Sequence, residues 1–268
     1  MLISIITPTF NSEKSIKKCV LSIISQNYKN FEHIIVDNLS TDNTLAEIKN
    51  AYSTNNLFAK LQIISEKDCG ISDAFNKGIN AASGDIIGIL NSDDFYYSND
   101  VFNKVISAFN APKILFVHGN VLFEDKLYGS NIRKPLLCDV REAMPYNHPT
   151  MFLRSKLYKE IGLFDTRFKY AMDFDLVCRI KKHISTLENI SIYLDGVPIA
   201  VMNAGGASWE NEEKALIETR EALIKYNYWD YKSLYFYFLR KVRIILKKYL
   251  VKIGSTSFIK LWRNNKWR

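Results

Sequence analysis

Ile86-Ile87-Gly88-Ile89-Leu90-Asn91-Ser92-Asp93-Asp94 is an apolar run that stops at two adjacent carboxylates. Such a short, continuous run reads as a buried parallel strand. Open α/β sheets bind their ligands at the carboxyl ends of strands. Neighbouring Asp side chains repel one another unless positive charge lies beside them. A hard divalent cation that also holds a diphosphate supplies that charge. The plainer alternative is a turn or a helix cap, since Asp favours both.

Upstream of this stretch, strands and helices alternate. Residues 3–7 read as a strand, and Ser12-Glu13-Lys14 opens a helix with Ile16, Cys19, Val20, Ile23 and Ile24 on its apolar face. Residues 33–37 form a second strand, followed by a polar turn at 38–41 and a helix over about 42–52. Residues 61–65 are a third strand, and a helix over 71–82 is closed by Ser83-Gly84. Downstream, 101–109 reads as a helix and 114–117 as a strand. Strands separated by such helices imply right-handed crossovers, an α/β fold and a mostly parallel central sheet flanked by helices. After residue 120 the pattern loosens. Residues 121–128 fit an antiparallel strand, 135–149 are loop-rich, 150–154 read as a strand and 173–182 as a helix.

Two further strand ends bear on function. The first strand runs into Thr7-Pro8-Thr9-Phe10-Asn11, where proline fixes φ and removes a ladder donor, so the chain leaves the sheet in a shaped turn. The second ends in Val36-Asp37-Asn38-Leu39-Ser40-Thr41-Asp42. Neither GxGxxG after the first strand nor GxxxxGK[ST] occurs, which disfavours a dinucleotide fold and a P-loop. Thr9, Asp37 and Asp93-Asp94 would converge on one sheet edge. Such an edge suits a base, a ribose and a metal-bound diphosphate in sequence.

The chain has 268 residues, 47% hydrophobic and 13% aromatic, enough for one large domain with an appendage. No apolar run reaches the length of a spanning helix. The N-terminus reads as a first strand and lacks the basic region of a signal peptide. Cys19, Cys69, Cys138 and Cys178 are scattered and read as reduced cytosolic thiols. The net charge of +8 is uneven. Residues 226–268 hold eleven Lys/Arg and one acid, so the tail carries +10 and the first 225 residues −2.

Several blocks, in order, carry a resemblance. They are Pro8-Thr9-Phe10-Asn11; Ile35-Val36-Asp37 with Ser40-Thr41-Asp42-Asn43-Thr44; Gly70 to Gly78 with Ala82-Ser83-Gly84-Asp85; Asn91-Ser92-Asp93-Asp94; Gly162-Leu163-Phe164-Asp165; and Met172 to Arg179. Over roughly residues 1–210 the chain resembles family 2 glycosyltransferases of the GT-A fold. The resemblance implies an inverting transfer of a sugar from a nucleotide-sugar, with UDP the expected nucleotide, to an acceptor hydroxyl. It implies Mg²⁺ or Mn²⁺ at Asp93 and Asp94, Asp37 at the base, Thr9 at the nucleoside and Asp173 as general base. Donor-binding candidates are Pro8, Thr9, Asn11, Asp37, Asp68, Asp73, Ser92, Asp93 and His148. Asp68 and Asp73 also fit a helix start, His148 a satisfied loop histidine, and Asp173 a helix cap with Asp175 in the first turn. Gly205-Gly206 and Ser208 suggest a loop over the donor site, and Arg179 reads as a helix-surface or ion-pair residue rather than a catalytic one. Asn91, Asn38 and Met172 replace acids of the family pattern.

The sequence thus divides into a transferase domain over 1–210, with a donor half to about 120 and an acceptor half over 121–210, and a helical basic-aromatic segment over 211–268. From 209 to 253 there is no Gly or Pro, and Leu239, Val242, Leu246, Tyr249 and Ile253 form an apolar stripe. Basic residues with Trp229, Tyr235, Phe238, Trp262 and Trp267 suit an anionic membrane surface. Packing on the main domain is the alternative, and a nucleic-acid partner is not expected. The resemblance implies a glycan or polyprenyl-diphosphate-linked acceptor, which sets the expected location at the cytoplasmic face of the cell membrane, in surface polysaccharide synthesis. A non-catalytic nucleotide-sugar-binding or membrane scaffold of the same fold is the competing class. A nucleotidyltransferase is disfavoured because 9–14 lacks a Gly-rich basic loop.

Overall fold

In the computed structural model, residues 1–125, 129–184, 189–205 and 211–252 are described. The strands are β1 (Ile3–Thr9), β2 (Phe31–Asp37), β3 (Leu61–Ser65), β4 (Ile86–Ile89), β5 (Phe95–Tyr96), β6 (Phe116–Gly119), β7 (Val121–Glu124), β8 (Asn131–Arg133), β9 (Phe152–Arg154), β10 (Ser191–Leu194) and β11 (Ala200–Asn203). The helices are α1 (Ile16–Ile24), α2 (Thr44–Thr54), α3 (Ile71–Ala81), α4 (Val101–Ala108), α5 (Ser155–Ile161), α6 (Met172–His183), α7 (Glu212–Lys225) and α8 (Tyr231–Lys252).

The central sheet has the order β10-β6-β9-β4-β1-β2-β3. β9 runs antiparallel to both its neighbours, β4 and β6, and the other pairings are parallel. This is the mostly parallel α/β sheet expected from the alternating pattern. β1 is buried along its whole length, as a strand covered on both faces must be. One cluster of buried residues joins the sheet to α1, α2 and α4. The other joins it to α3, α5, α6 and α7. α3 lies close on β1 because Gly78 has no Cβ to collide with the Ile6 side chain. A second sheet has the order β5-β11-β7-β8.

Four details differ from the sequence reading. The first helix begins at Ile16 rather than at 12–14. The Ser12 and Glu13 N–H groups are drawn off to Thr44 Oγ1 and Asp42 Oδ2, leaving 12–15 as a turn. The fifth strand is shifted two residues along, because Leu115 and Phe116 both donate to Ile190 O as β10 begins. β7 is antiparallel to β8 but parallel to β11, and 126–128 lie outside the described residues. The Gly- and Pro-free stretch breaks into α7 and α8 at Asn227, whose φ of 63° is left-handed. Asp230 and Ser233 then cap α8 reciprocally through side chain and backbone.

α7 belongs to the core. Ala222 and Leu223 pack with Phe174, Leu176 and Val177 of α6. The Asp175 carboxylate has no exposure and is bound by Lys225, Arg179 and the Tyr226 hydroxyl. Arg179 is thus an ion-pair residue, as the sequence suggests. α8 is held to the rest by Lys247–Glu212, Lys232–Glu142 and an Arg240 bond to Glu142 O. Ser233 and Ile244 are its buried residues. Among the described residues, no helix is long and apolar enough to cross a membrane.

Candidate active site

A cleft of about 690 Å³ opens where β1, β2 and β4 end. The parallel pair β1/β2 finishes with Thr9 opposite Asp37, and β4 lies on the other side of β1. Parallel neighbours all end at the same edge, which is why three separate segments meet there.

The two loops beyond β1 and β2 are laced together. The Asn11 N–H donates to Ser40 Oγ, and Asn11 Oδ1 accepts from the Thr41 N–H, each at 2.9 Å. Glu13 Oε2 accepts from the Asn43 N–H at 3.1 Å. Asn11 and Leu39 are both left-handed, with φ of 47° and 56°. Gly70, with φ 117°, turns the chain from β3 into α3 at the cleft wall, where any side chain would be strained.

Pro8, Thr9, Asn11, Asp68, Ser92 and Asp93 all line the cleft. Asp37 does not. It is buried beneath, and its carboxylate accepts from the Ser40 N–H and hydroxyl and from the Ser65 hydroxyl at 2.7 Å. Asp73 also lies outside the lining, accepting from the Cys69 N–H at 3.0 Å and pairing with Lys77, which makes it a helix-start residue. Residues that were not among the donor-binding candidates also line the cleft: Phe10, Lys14, Asn38, Asp42 and Asn91. Lys14 brings a cation to an otherwise acidic cleft. Its signal was its place in the same β1 loop as Pro8 and Thr9.

Two buried oxygens in this lining lack a partner among the described residues, Thr9 Oγ1 and Asn91 Oδ1. Buried polar atoms in native proteins are nearly always paired, so two such oxygens on residues lining one cleft make it a candidate ligand site.

Asp93 and Asp94 behave differently. Asp93 faces the cleft, and burial pushes its carboxyl above the ordinary range. Asp94 is buried away from the lining. Its Oδ1 accepts from the Asn203 N–H at 3.4 Å, while the Asn203 amide donates to Asp93 O at 2.5 Å. Burial first, and the Asp93 charge second, push Asp94 well above the usual carboxylate value. Among the described residues, no three His, Cys, Asp or Glu side chains cluster as a metal site. The oxygen set of Asp93 and Asn91 nevertheless suits Mg²⁺ or Mn²⁺, which needs only one or two protein ligands when phosphates supply others.

Asp173 is the second residue of α6, half-exposed, with Oδ1 accepting from the Phe174 N–H at 2.8 Å. His148 sits on a short 3-10 turn and stacks on Phe75 at 5.6 Å. Burial lowers its pKa, and the nearby Asp173 charge opposes that shift. His148 therefore feels the Asp173 charge and is not among the residues lining the cleft. Of the suggested loop over the donor site, Gly205 is left-handed at φ 112°, and Gly206 and Ser208 lie outside the described residues. Ile253, Trp262 and Trp267 of the tail lie outside them too.

Comparison with known proteins agrees with this architecture. The family model described as Glycosyl transferase family 2 matches residues 4–175. An uncharacterized glycosyltransferase of Rickettsia typhi is 27% identical over 234 residues, covering 83% of this chain and 70% of that protein. A PGL/p-HBAD biosynthesis glycosyltransferase of Mycobacterium bovis is 32% identical over 183 residues, covering 66% and 69%. In structure, the chain is similar to S. aureus TarS 1-349 in complex with UDP-GlcNAc, with a TM-score of 0.66, 18% identity and coverage of 84% and 66%. It is also similar to the mannosyltransferase PcManGT of Pyrobaculum calidifontis in complex with GDP-Man and Mn²⁺, with a TM-score of 0.65, 18% identity and coverage of 83% and 63%. The chain thus spans about two thirds of the length of those solved structures. At such identities the likeness shows a shared fold, the GT-A fold.

Proposed function

Because this chain belongs to glycosyl transferase family 2, we propose that it moves a sugar from a nucleotide-sugar, a UDP-sugar first, to a hydroxyl of a glycan or polyprenyl-diphosphate-linked acceptor, with inversion. The observation that carries this is the pair of orphaned oxygens, Thr9 Oγ1 and Asn91 Oδ1, lining the cleft that Asp93 also faces.

In this reading Thr9, Asn38 and Asp68 meet the nucleoside, and Lys14 faces the diphosphate. Asp93 with Asn91 would hold Mg²⁺ or Mn²⁺. A cation bound there neutralises charge on the departing nucleoside diphosphate. Asp173 accepts the proton of the acceptor hydroxyl as that oxygen bonds to the anomeric carbon. The bond from that carbon to the diphosphate oxygen breaks, and its electron pair leaves with the nucleotide. Attack from the face opposite the leaving group inverts the centre. His148, whose pKa burial lowers, feels the Asp173 charge.

The test is turnover of UDP-glucose, UDP-GlcNAc, UDP-galactose and GDP-mannose with Mn²⁺, together with thermal shift by each. A bound donor at 100 times Kd stabilises by about 2.7 kcal/mol. Binding without turnover, with water or with glycan acceptors, would favour the non-catalytic scaffold.

The exposed face of α8 supports a peripheral site of action in cell-surface polysaccharide synthesis. Tyr231, Leu234, Tyr235, Phe238, Val242, Ile245, Leu246 and Tyr249 are all exposed and fall on one helical arc. Exposed Lys241, Lys248 and Lys252 flank that arc. An apolar face bordered by cations complements an anionic phospholipid surface at the cytoplasmic side of the membrane. The opposite face of α8 is tied to Glu142 and Glu212, so docking would fix the enzyme's orientation toward a lipid-linked acceptor.

A further inference from the structure

We propose that Glu218, on α7, is a positioning residue for Asp173; this rests on the reading of Asp173 as the general base. The loop entering α6 turns three consecutive N–H groups toward the Glu218 carboxylate. Lys169 N lies 3.0 Å from Oε1 and 3.1 Å from Oε2. Tyr170 N and Ala171 N lie 2.7 and 2.8 Å from Oε2.

These groups need an external acceptor. Ala171 is the residue before α6 and has no capping side chain. The free N–H groups before and within the first turn would otherwise be unsatisfied. A carboxylate facing them makes charge-assisted bonds, stronger than neutral ones, and complements the positive end of the helix.

The consequence reaches Asp173, two residues after Ala171. Its Oδ1 accepts from the Phe174 N–H, so the direction of the carboxylate follows the start of α6. The residue between, Met172, is apolar and buried and holds no polar group in place. α7 also grips the other side of Asp173, through Lys225 and the buried Asp175 at 2.7 Å. Ser72 on α3, the helix bordering the donor cleft, donates to Phe168 O at 2.7 Å and pins the same loop from the donor side. Glu218 therefore sets where Asp173 stands relative to a donor in the cleft. A displacement of about 1 Å at a reacting group costs on the order of 100-fold in rate.

The test uses the full chain with Glu218→Gln and Glu218→Asp, on whichever of UDP-glucose, UDP-GlcNAc, UDP-galactose and GDP-mannose the wild type turns over. Glu218→Gln keeps the size but puts amide hydrogens or a neutral oxygen against the three N–H donors. Expected are a fall in kcat of roughly 10- to 100-fold, a donor Kd within about twofold of wild type, and faster hydrogen exchange over residues 169–175. Glu218→Asp, which keeps the charge with a shorter reach, should fall between the two. A lowered melting temperature with unchanged kcat would reduce Glu218 to a stabilising cap and overturn the proposal. Where Glu218→Gln does not fold, Glu218→Asp decides: its kcat equal to wild type overturns the proposal, and a lower kcat with unchanged donor Kd supports it. A wild type that turns over none of the four sugars fails the functional reading. An active wild type matched by an equally active Glu218→Gln fails the positioning role alone.

Discussion

Asn203 donates its N–H to Asp94 Oδ1 and so holds that carboxylate away from the cleft, while the adjacent Asp93 faces it. Two acids that look equivalent in sequence thus have unequal positions. Asp93→Asn should weaken Mn²⁺-dependent UDP binding by roughly 10-fold or more, and Asp94→Asn by less than about threefold, since one or two protein oxygens suffice when phosphates complete the shell. Calorimetric titration of UDP with and without Mn²⁺ measures both. Equal losses would mean that Asp94 turns to the cation.

The same relationship has a pH signature. The folded-state pKa of Asp94 is raised, by burial and by the Asp93 charge. Ionising it therefore costs stability once pH exceeds the unfolded value near 3.8 and approaches the folded one. Asp94→Asn removes that cost. The metal-free variant should melt higher than wild type at pH 7, with the gap closing by pH 4. A lower melting temperature at pH 7 would show that the charged form is the stable one.

Asp173→Asn should lower turnover by about 100- to 10,000-fold, the range for loss of a general base, with donor affinity unchanged. Stopped turnover with intact UDP binding is the expected pairing. Loss of donor binding would identify Asp173 as a structural residue of α6.

Two buried histidines should make the fold sensitive to acid. Burial lowers His33 to about 3 and His118 to about 4. Below the unfolded value near 6.5 the unfolded chain binds more protons, so stability falls as pH drops from 6.5 toward 4. Melting temperature against pH should decline over that window. His33→Gln, which removes one titrating group between Tyr52 and Thr7, should flatten the decline. An unchanged slope would place the titration elsewhere.

Leu234→Glu with Phe238→Glu should move the protein from co-sedimenting with phosphatidylglycerol vesicles to the supernatant, without changing UDP affinity. Wild-type binding should weaken with salt, because exposed charges are screened over about 10 Å at 0.1 M. No wild-type binding to these vesicles would remove the lipid surface as the partner of α8.

The fold was legible because its strands carry period and punctuation. The runs at 3–7, 33–37, 61–65 and 86–90 are largely apolar and end in polar turns, and the helix faces between them show 3.6-residue spacing. Less legible were the edges. The start of α1 is set by Asp42 and Thr44, about thirty residues away in sequence. The break before α8 uses neither Gly nor Pro. The apolar stripe Leu239, Val242, Leu246 and Tyr249 was visible as a pattern, but periodicity does not say whether an apolar arc faces a core or the outside. The described part of that stripe lies outward.

At the site the division is similar. The residues at the ends of β1 and β4 were readable, because strand termini in a parallel sheet share one edge. Asp37 looked equivalent to them, yet Ser40 and Ser65 bind its carboxylate beneath the lining. Sequence alone determined the α/β class, the strand order of chemistry along the chain and the family, since these follow from local patterns and ordered motifs. Tertiary structure alone decided which of Asp93 and Asp94 lines the cleft, and that α7 brings Glu218 to the loop before Asp173. Those depend on contacts between residues about 50 to 110 positions apart, whose hydrogen-bond directions no local pattern encodes.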